Sequence, residues 1–344
     1  MSKKKLICIG STDFSRRSHL TDVLSDLALE EYDPTTTYNK NECIFVVTYR
    51  SEWSDLLMFK YLDQGFKLII ATVGHSRPNF FLSKDFSPYL DNILVIVGCK
   101  NSFNYGWKNI LDVPNWFWYN ESLLYNLVQY QSYVPTRNNS KLFLMLLNRV
   151  NWFRDQIYIK FEKLLNNAVY SYIGKLNNPL ELPVTNTSIP WIHQYNPSWY
   201  NNTYFSLVSE TAVNSHYVLS NEMSGVVCYD VPCELIVSEK TFKPIAFQHP
   251  FIIVGMKGTL QHLRSIGFET YSHIFDENYD QLTPFTDRLN AIYTNIINFN
   301  IDAYHAPMTE QIIKHNFNRF YDNKIVREGI DKELIQPIKE WITV

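Results

Sequence analysis

The sequence lacks several features that would place it quickly in a class of protein. It has no run approaching the ~20 apolar residues that a membrane-spanning helix needs, and the apolar stretch over residues 6–10 is too short for a secretion signal. We therefore expect a cytoplasmic protein without a transmembrane segment. The formal net charge of -3 supplies no broad basic surface, which disfavours a nucleic-acid partner.

Cysteine is also scarce, with five residues in a chain of 344. Their odd number predicts reduced thiols in the core rather than a disulfide framework. Cys228 and Cys233 are separated by four residues and have no second pair, and the chain contains no H-x-x-x-H sequence. We therefore predict no bound metal, and a metal-dependent hydrolase is disfavoured.

Two glycine-rich fingerprints of phosphate binding are missing as well. The first predicted strand is not followed by G-x-G-x-x-G, and no G-x-x-x-x-G-K-S/T sequence occurs. Neither a dinucleotide site nor a P-loop is therefore indicated, and we predict no cofactor.

What is present is the composition of an ordinary globular protein, with 46% hydrophobic and 19% charged residues. A chain of 344 residues exceeds the usual size of a single core, so two domains are expected. The segment 134–140, VPTRNNS, has the composition of a linker. We predict an N-terminal domain over residues 1–135, a C-terminal domain over 141–325 and a closing helix over 326–344.

The first domain reads as strands alternating with helices. Short apolar runs predict strands over 5–10, 43–48, 67–73 and 92–97, with helices over 15–29 and 54–64 between them. Alternation at this spacing is typical of crossover units on a parallel sheet. The first domain is therefore predicted to be doubly wound and Rossmann-like.

Ligands of such sheets lie outside the carboxyl ends of the strands. Asp13 and His75 follow the first and third predicted strands. Either side chain is a candidate catalytic base that takes a proton from an acceptor hydroxyl. The structural alternatives are a helix cap for Asp13 and an exposed surface position for His75.

The second domain is predicted to open with a strand over 141–147. Arg149 follows this strand and Arg154 lies at the start of the next helix, where guanidinium groups are placed to meet phosphate oxygens. The alternative is a solvated arginine, or one paired with Asp155 or Glu162. Further along, the pattern predicts helices over 155–166, 259–266, 284–299, 308–322 and 331–341.

A polar cluster lies just before the short apolar run 251–254, which predicts a strand buried on both faces. Because a proline is tolerated best near the start of a helix, Pro244 predicts a helix that begins between Ser238 and Phe242. Glu239 and Lys240 then lie at a helix N-terminus, which has unpaired N–H groups and favours phosphate. The alternative is a solvated lysine beside a capping serine and glutamate.

Two further segments receive structural interpretations. The aromatic run from Trp116 to Tyr119 is interpreted as part of an apolar strand, although it would also suit an acceptor groove. The acidic stretch from Asp276 to Asp280 is interpreted as a solvated loop.

The motifs in the second half resemble those of α1,3-fucosyltransferase-like glycosyltransferases. The family pattern is F-x-L-x-F-E-N, then T-E-K, then V-P-V-x-G, and this chain has FSLVSET over 205–211, SEK over 238–240 and HPFIIVG over 249–255. A comparable L-N-R segment ends at Arg149. The likeness covers roughly residues 141–298, and no motif-level likeness is found in the first 135.

The resemblance implies a role for several residues. Glu239 matches the carboxylate that holds ribose hydroxyls of the donor nucleotide, Lys240 the cation on its diphosphate, and Glu210 the acid of the F-E-N element. Arg149 and Arg154 join the predicted donor site. Ser209 and Thr211 replace Phe and Asn of the family pattern, and Ser238 replaces Thr. About 25 residues separate the elements, which predicts an inserted loop or hairpin over 213–235.

The predicted fold is α/β, with two Rossmann-like doubly wound domains that face a cleft (GT-B-like), and by the resemblance the last helix returns to the first domain. The predicted function is an inverting, metal-independent glycosyltransferase. It would move a sugar from a nucleoside-diphosphate sugar, such as GDP-fucose, to a glycan or other hydroxyl acceptor. The alternative is a non-catalytic protein that keeps the fold for binding or assembly.

Overall fold

The computed structural model describes residues 5–9, 29–48, 55–71, 86–98, 107–127, 130–147, 151–172, 196–211, 213, 216–221, 225–230 and 235–343. The chain divides into two compact units. The first unit comprises Met1–Leu124, Pro232–Glu234 and Asn323–Val344, and the second comprises Tyr125–Val231 and Leu235–Asp322. The C-terminal residues are thus grouped with the first unit.

A six-stranded sheet forms the centre of the first unit. Its strands are β1 (Lys5–Ile9), β2 (Leu29–Glu31), β3 (Cys43–Thr48), β4 (Lys67–Ala71), β5 (Ile93–Val97) and β6 (Asn109–Asp112). The strands are parallel and run in the order β2-β1-β3-β4-β5-β6. The four predicted strands are confirmed to within two residues. The two edge strands were not predicted, because three or four residues are too few to show a pattern.

Ahead of the C-terminal helix, the described part of the first unit contains α1 (Asp55–Asp63) and α2 (Trp116–Leu127), the last three residues of which are grouped with the second unit. The interpretation of the aromatic run 116–119 as a strand is wrong, since the run is the first turn of α2. Trp116, Trp118 and Tyr119 are all buried. Four consecutive apolar residues are compatible with either periodicity, and only the apolar positions further along, such as Leu123, complete a helical face.

The second unit has a four-stranded parallel sheet and a separate hairpin. Its strands are β7 (Lys141–Leu147), β8 (Ala168–Tyr172), β9 (Thr203–Ser209), β10 (His216–Asn221), β11 (Gly225–Asp230) and β12 (Phe251–Val254). The sheet order is β12-β9-β7-β8, and β10 pairs with β11 in antiparallel fashion. The predicted insertion is therefore a hairpin.

Seven α-helices of the second unit are described. They are α3 (Trp152–Phe161), α4 (Pro197–Asn201), α5 (Glu239–Ala246), α6 (Thr259–Ser265), α7 (Phe285–Ile297), α8 (Ile301–Tyr304) and α9 (Pro307–Tyr321). The helices predicted over 155–166, 259–266, 284–299 and 308–322 are confirmed with small shifts of their ends. Gly267 follows α6 with a φ of 85°, a left-handed conformation that suits glycine at the end of a helix.

The core of the second unit is built around stacked phenylalanines. The Phe143 and Phe205 rings, on neighbouring strands, are 6.1 Å apart, and Phe205 also packs edge-on against Phe275 at 5.1 Å. Phe161 of α3 covers Phe143. Burial of these large side chains holds the helices against the sheet and leaves the carboxyl ends of the strands to carry polar residues.

The acidic stretch 276–280 is not a solvated loop, so that interpretation is wrong. Asp280 is 2% exposed, and its carboxylate accepts hydrogen bonds from the backbone N–H groups of Leu260 (3.0 Å) and Gln261 (3.2 Å) at the start of α6. Burial raises the pKa of Asp280, although these two bonds oppose the shift. The helix is thus capped by a residue that lies beyond its C-terminal end in the sequence.

A long C-terminal helix completes the first unit. It consists of α10 (Asn323–Ile330), a π-helical turn (Asp331–Ile335) and α11 (Gln336–Thr343). Glu333 accepts hydrogen bonds from Asn115 (2.7 Å) and from the Tyr119 hydroxyl (2.9 Å). Lys67 of β4 donates to the backbone oxygen of Trp341 (2.9 Å). These contacts attach the last helix to the first sheet and to α2.

Two properties hold for the residues that the structure describes. No helix among them is long and apolar enough to cross a membrane. Cys43 of β3 is buried with a free thiol, and the side chains of the other four cysteines lie outside the described residues.

Candidate functional site

The candidate site lies where β9 ends and α5 begins. Ser209 is the last residue of β9 and is in register with Val254, the last residue of β12, so the two parallel strands end at the same edge of the sheet. Glu210 and Thr211 follow directly. The carboxyl edge of a parallel sheet is where ligands of such folds bind.

Glu210 connects two polar clusters, residues 209–211 at the end of β9 and residues 238–241 at the start of α5. Its side chain is 0% exposed, and its carboxylate accepts four hydrogen bonds from within the chain. The donors are the backbone N–H groups of Ser238 (3.1 Å) and Thr211 (2.9 Å) and the hydroxyls of Ser238 (2.5 Å) and Thr241. A buried carboxylate is stable only when its oxygens are satisfied in this way. Glu210 therefore anchors the start of α5 to the end of β9.

Lys240 points into this cluster. Its ammonium donates to the Thr211 hydroxyl (2.8 Å), to the Ser238 hydroxyl (3.3 Å) and to the Glu239 carboxylate (2.7 Å). The side chain is 26% exposed, and that of Glu239 is 18% exposed. The alternative of a lysine extended into solvent is therefore excluded, because the ammonium lies against oxygen atoms of both clusters.

Glu239 is held in its ionised form. Burial alone would raise the pKa of its carboxyl, but the charge and hydrogen bond of Lys240, together with the charge of Lys243, hold the pKa at about 2. The site thus presents a carboxylate and an ammonium side by side at neutral pH.

The predicted start of α5 is confirmed. The helix begins at Glu239 with Ser238 in an extended conformation at the cap position. Pro244 lies inside the helix, in its second turn rather than its first. Proline has no N–H group, so it cannot donate to the carbonyl of Lys240 four residues earlier. The short helix continues into a turn that leads to His249 and β12.

Arg154 lies in the first turn of α3. It is 3% exposed, its backbone N–H is capped by the Asn151 side chain (3.0 Å), and its guanidinium is 5.5 Å from the centre of the Phe153 ring. Asp155, one of the suggested pairing partners, accepts a hydrogen bond from the Tyr172 hydroxyl (2.5 Å). Arg154 is thus a buried residue at the amino end of a helix that follows β7.

Three of the predicted site residues, Asp13, His75 and Arg149, lie outside the described residues. Their roles stay predictions. Among the residues that are described, no group of three His, Cys, Asp or Glu side chains is placed to hold a metal ion.

Sequence reasoning missed Arg288, a buried arginine of α7. Its guanidinium donates to the backbone oxygens of Gly255 (3.2 Å), Leu282 (2.7 Å), Thr283 (2.6 Å) and Val213. Burial lowers its pKa, although the charge of Asp280 opposes the shift. The guanidinium joins the segment after β9 to the end of β12. Its position on the apolar face of a predicted amphipathic helix is the signal that could have identified it.

His249 is a second buried residue whose role was not foreseen. Its Nδ1 accepts from the Ser206 hydroxyl (2.8 Å), and its Nε2 donates to the backbone oxygen of Thr203 (2.8 Å). Burial, with a smaller contribution from the charge of Arg137, lowers the pKa of His249 to about 3, although the bond to Thr203 opposes the shift. The neutral ring fastens the segment before β12 to β9.

Comparison with known proteins adds evidence on the fold. No protein-family model and no curated protein matches the sequence. Among solved structures, that of an α1,3-fucosyltransferase with GDP is 13% identical, covers 100% of this chain and 91% of that chain, and gives a TM-score of 0.50. Another α1,3-fucosyltransferase structure is 14% identical, with coverages of 94% and 90% and a TM-score of 0.47.

The first of these likenesses spans the whole chain. It confirms the predicted resemblance and the α/β class at the level of the fold: this chain has two parallel sheets with helices in a glycosyltransferase-like arrangement of elements. The likeness therefore extends to the first 135 residues, in which no motif was recognised.

Proposed function

We propose that this protein is a glycosyltransferase that uses a nucleoside-diphosphate sugar. The donor is GDP-fucose-like, the acceptor is a hydroxyl of a glycan or of another molecule, and transfer inverts the anomeric carbon without a metal ion. The observation that carries the proposal is the Glu239–Lys240 pair at the start of α5, beside the carboxyl end of β9. The likeness to an α1,3-fucosyltransferase solved with GDP supports the nucleotide.

The chemistry requires stabilisation of a leaving group. The bond between the sugar and the diphosphate breaks, and negative charge develops on the diphosphate oxygen. Lys240 and the N–H groups at the start of α5 would neutralise that charge, with Arg149 and Arg154 as further cations. A preorganised hydrogen bond to a developing charge contributes on the order of 2.7–4 kcal/mol in the transition state. Glu239 would hold the ribose hydroxyls.

The acceptor has to lose a proton during the reaction. Asp13 or His75 would take it, because both follow predicted strands of the first unit, where ligands of parallel sheets bind. Inversion follows if the acceptor oxygen attacks the face of the sugar opposite the diphosphate.

Replacement of Lys240 tests the proposal. We expect Lys240→Ala to abolish binding and turnover of GDP-fucose with the fold intact, because the diphosphate loses its principal cation. Binding is measured by calorimetric titration and by thermal shift with GDP and with GDP- and UDP-sugars, since a bound ligand stabilises the protein by RT ln(1 + [L]/Kd). Lys314→Ala, which removes an exposed lysine of the second unit, is the matched control.

Two outcomes would contradict the proposal. Unchanged donor binding by Lys240→Ala would remove Lys240 from the site. An equal loss in Lys314→Ala would show that the effect depends on overall charge rather than on the site.

A non-catalytic role is the second candidate. It is favoured by one observation: the oxygen atoms of Thr211, Ser238 and Glu239 already accept the three ammonium protons of Lys240, so the cluster is internally satisfied. The titration separates the two candidates. A structural protein would bind none of the nucleotides, whereas a transferase binds a subset of them and releases nucleoside diphosphate with time.

A further inference from the structure

On the basis of the donor site proposed above, we propose that Thr211 and Ser238 are positioning residues. Both residues donate to the buried carboxylate of Glu210, and their hydroxyls hold the ammonium of Lys240 where the diphosphate binds. The resemblance assigns Glu210 to the donor site. In this arrangement its role is indirect, because it acts on the ligand through Thr211, Ser238 and Lys240.

Because Glu210 is buried, its carboxylate cannot contact a nucleotide-sugar ligand directly in this conformation. The side chain is 0% exposed, and both carboxylate oxygens are occupied by donors of the chain itself. A ligand hydroxyl would have to displace one of these bonds and open the cluster to reach it. Glu239, which is 18% exposed, is accessible by comparison.

The direction of the hydrogen bonds shows how the carboxylate acts. The Ser238 hydroxyl donates its only proton to Glu210 (2.5 Å), so its oxygen is left to accept from Lys240 (3.3 Å). The backbone N–H of Thr211 donates to the same carboxylate (2.9 Å), which fixes the residue whose hydroxyl accepts from Lys240 at 2.8 Å. Both hydroxyls that accept from the ammonium therefore belong to residues that are bonded to Glu210.

Positioning matters for a lysine in particular. Its ammonium sits on a flexible four-carbon chain and loses conformational freedom when it binds a ligand. If Thr211 and Ser238 already restrain it, less freedom remains to be lost, and binding is tighter. Thr211 and Ser238 are also two of the positions at which this chain departs from the family pattern.

The test compares variants of the full chain by calorimetric titration with inorganic pyrophosphate and with GDP. We expect Thr211→Val to weaken both by about tenfold, because the released ammonium has more conformational freedom to lose on binding, while the fold stays intact. Thr211→Ser, which restores the hydroxyl, should recover wild-type affinity to within about twofold. Ser238→Ala should weaken binding in the same direction, and Ser238→Thr should recover it.

The matched control is Thr283→Val. The Thr283 hydroxyl also accepts from a lysine, Lys257 at 3.4 Å, but on an exposed surface. This variant should bind pyrophosphate and GDP as the wild type does.

The outcomes separate the two proposals. If the wild type binds both ligands, and Thr211→Val and Ser238→Ala bind them as tightly as the wild type does, the positioning role is overturned and the proposed donor site stands. If Thr211→Val is weakened but Thr211→Ser is weakened as much, the hydroxyl is irrelevant and positioning is again overturned. If the wild type binds neither ligand, the proposed function itself fails, and positioning fails with it.

Discussion

Glu239 and Lys240 neutralise each other in the structure, although each has a proposed partner in the ligand. Their oxygen and nitrogen atoms are 2.7 Å apart, and neither side chain is more than 26% exposed. A diphosphate that binds Lys240 must compete with the Glu239 carboxylate for the same ammonium. Displacement would in turn release Glu239 toward the ribose. The pair therefore links the two halves of nucleotide recognition.

This competition predicts opposite effects for two ligands. Glu239→Gln should bind inorganic pyrophosphate roughly three- to tenfold more tightly, because no carboxylate at position 239 then competes with pyrophosphate for the Lys240 ammonium. The same variant should lose affinity for GDP relative to pyrophosphate, because the acceptor for the ribose hydroxyls is weakened. Calorimetric titration of both ligands measures the two changes.

Glu310→Gln provides the comparison, since it removes an exposed carboxylate that pairs with Arg137 at 3.6 Å. It should alter neither affinity. A parallel decrease for pyrophosphate and GDP in Glu239→Gln would argue against the competition.

At the scale of elements, His249 joins two neighbouring strands of the second sheet. It precedes β12, yet both of its ring nitrogens bond to residues of β9, Ser206 and Thr203. The positive charge of Arg137 adds to the effect of burial in lowering the pKa of the ring. Burial keeps the ring neutral, and in that form Nε2 donates to the Thr203 carbonyl while Nδ1 accepts from the Ser206 hydroxyl.

The low pKa predicts a pH dependence of stability. The folded pKa of His249 is about 3, whereas an unfolded histidine titrates near 6.5, so the unfolded chain binds the proton first as the pH falls. The contribution is fully present above pH ~6.5 and is lost progressively toward pH ~3, with a loss of about 2 kcal/mol at pH 5. Urea unfolding at pH 7, 6 and 5 measures it.

A variant isolates this contribution. We expect His249→Gln to be less stable than the wild type at pH 7 but to lose less stability between pH 7 and pH 5, because position 249 then carries no group that titrates in this range. His315→Gln, at an exposed position, is the control. The same flattening in His315→Gln, or none in His249→Gln, would rule out the buried histidine as the cause.

The first unit contains both β1 and the last helix of the chain. The C-terminal helix belongs to the first unit and packs closely on α2. A methyl group added at Gly329 would lie 2.6 Å from the Cζ atom of Tyr119, well inside contact distance. Glycine therefore permits the close approach that places Glu333 within reach of Tyr119 and Asn115.

Gly329→Ala is expected to destabilise the protein by about 1–3 kcal/mol, because the added methyl group overpacks a rigid ring. Alanine is the better helix former by about 1 kcal/mol, so a loss of stability cannot come from helix propensity. Glu328→Ala, at the exposed neighbouring position, is the control. Urea unfolding of both variants measures the effect, and a Gly329→Ala protein as stable as the wild type would refute the close contact.

Many elements could be predicted from local patterns. The strands β3, β4, β5, β7 and β12 could be predicted because each is a mostly apolar run. Pro244 limited the start of α5 to residues 238–242, although this proline lies one turn further into the helix than expected. The motif likeness led to the correct fold for the second half. These signals lie within a few residues of one another, which is the range over which backbone sterics and side-chain periodicity act.

Other features depended on contacts between distant residues. Glu210 accepts a hydrogen bond from Ser238, which lies 28 residues later in the sequence. Asp280 caps a helix that begins 21 residues earlier, and Arg288 donates to the backbone oxygen of Val213. The sequence shows that such residues are polar or charged, but it does not show which hydrogen-bond partners they have when they are buried in the folded protein. Sequence alone determined where the charged pair lies along the chain. The inward direction of Lys240 follows from tertiary contacts, because the oxygens that accept from its ammonium come from two segments that the sheet brings together.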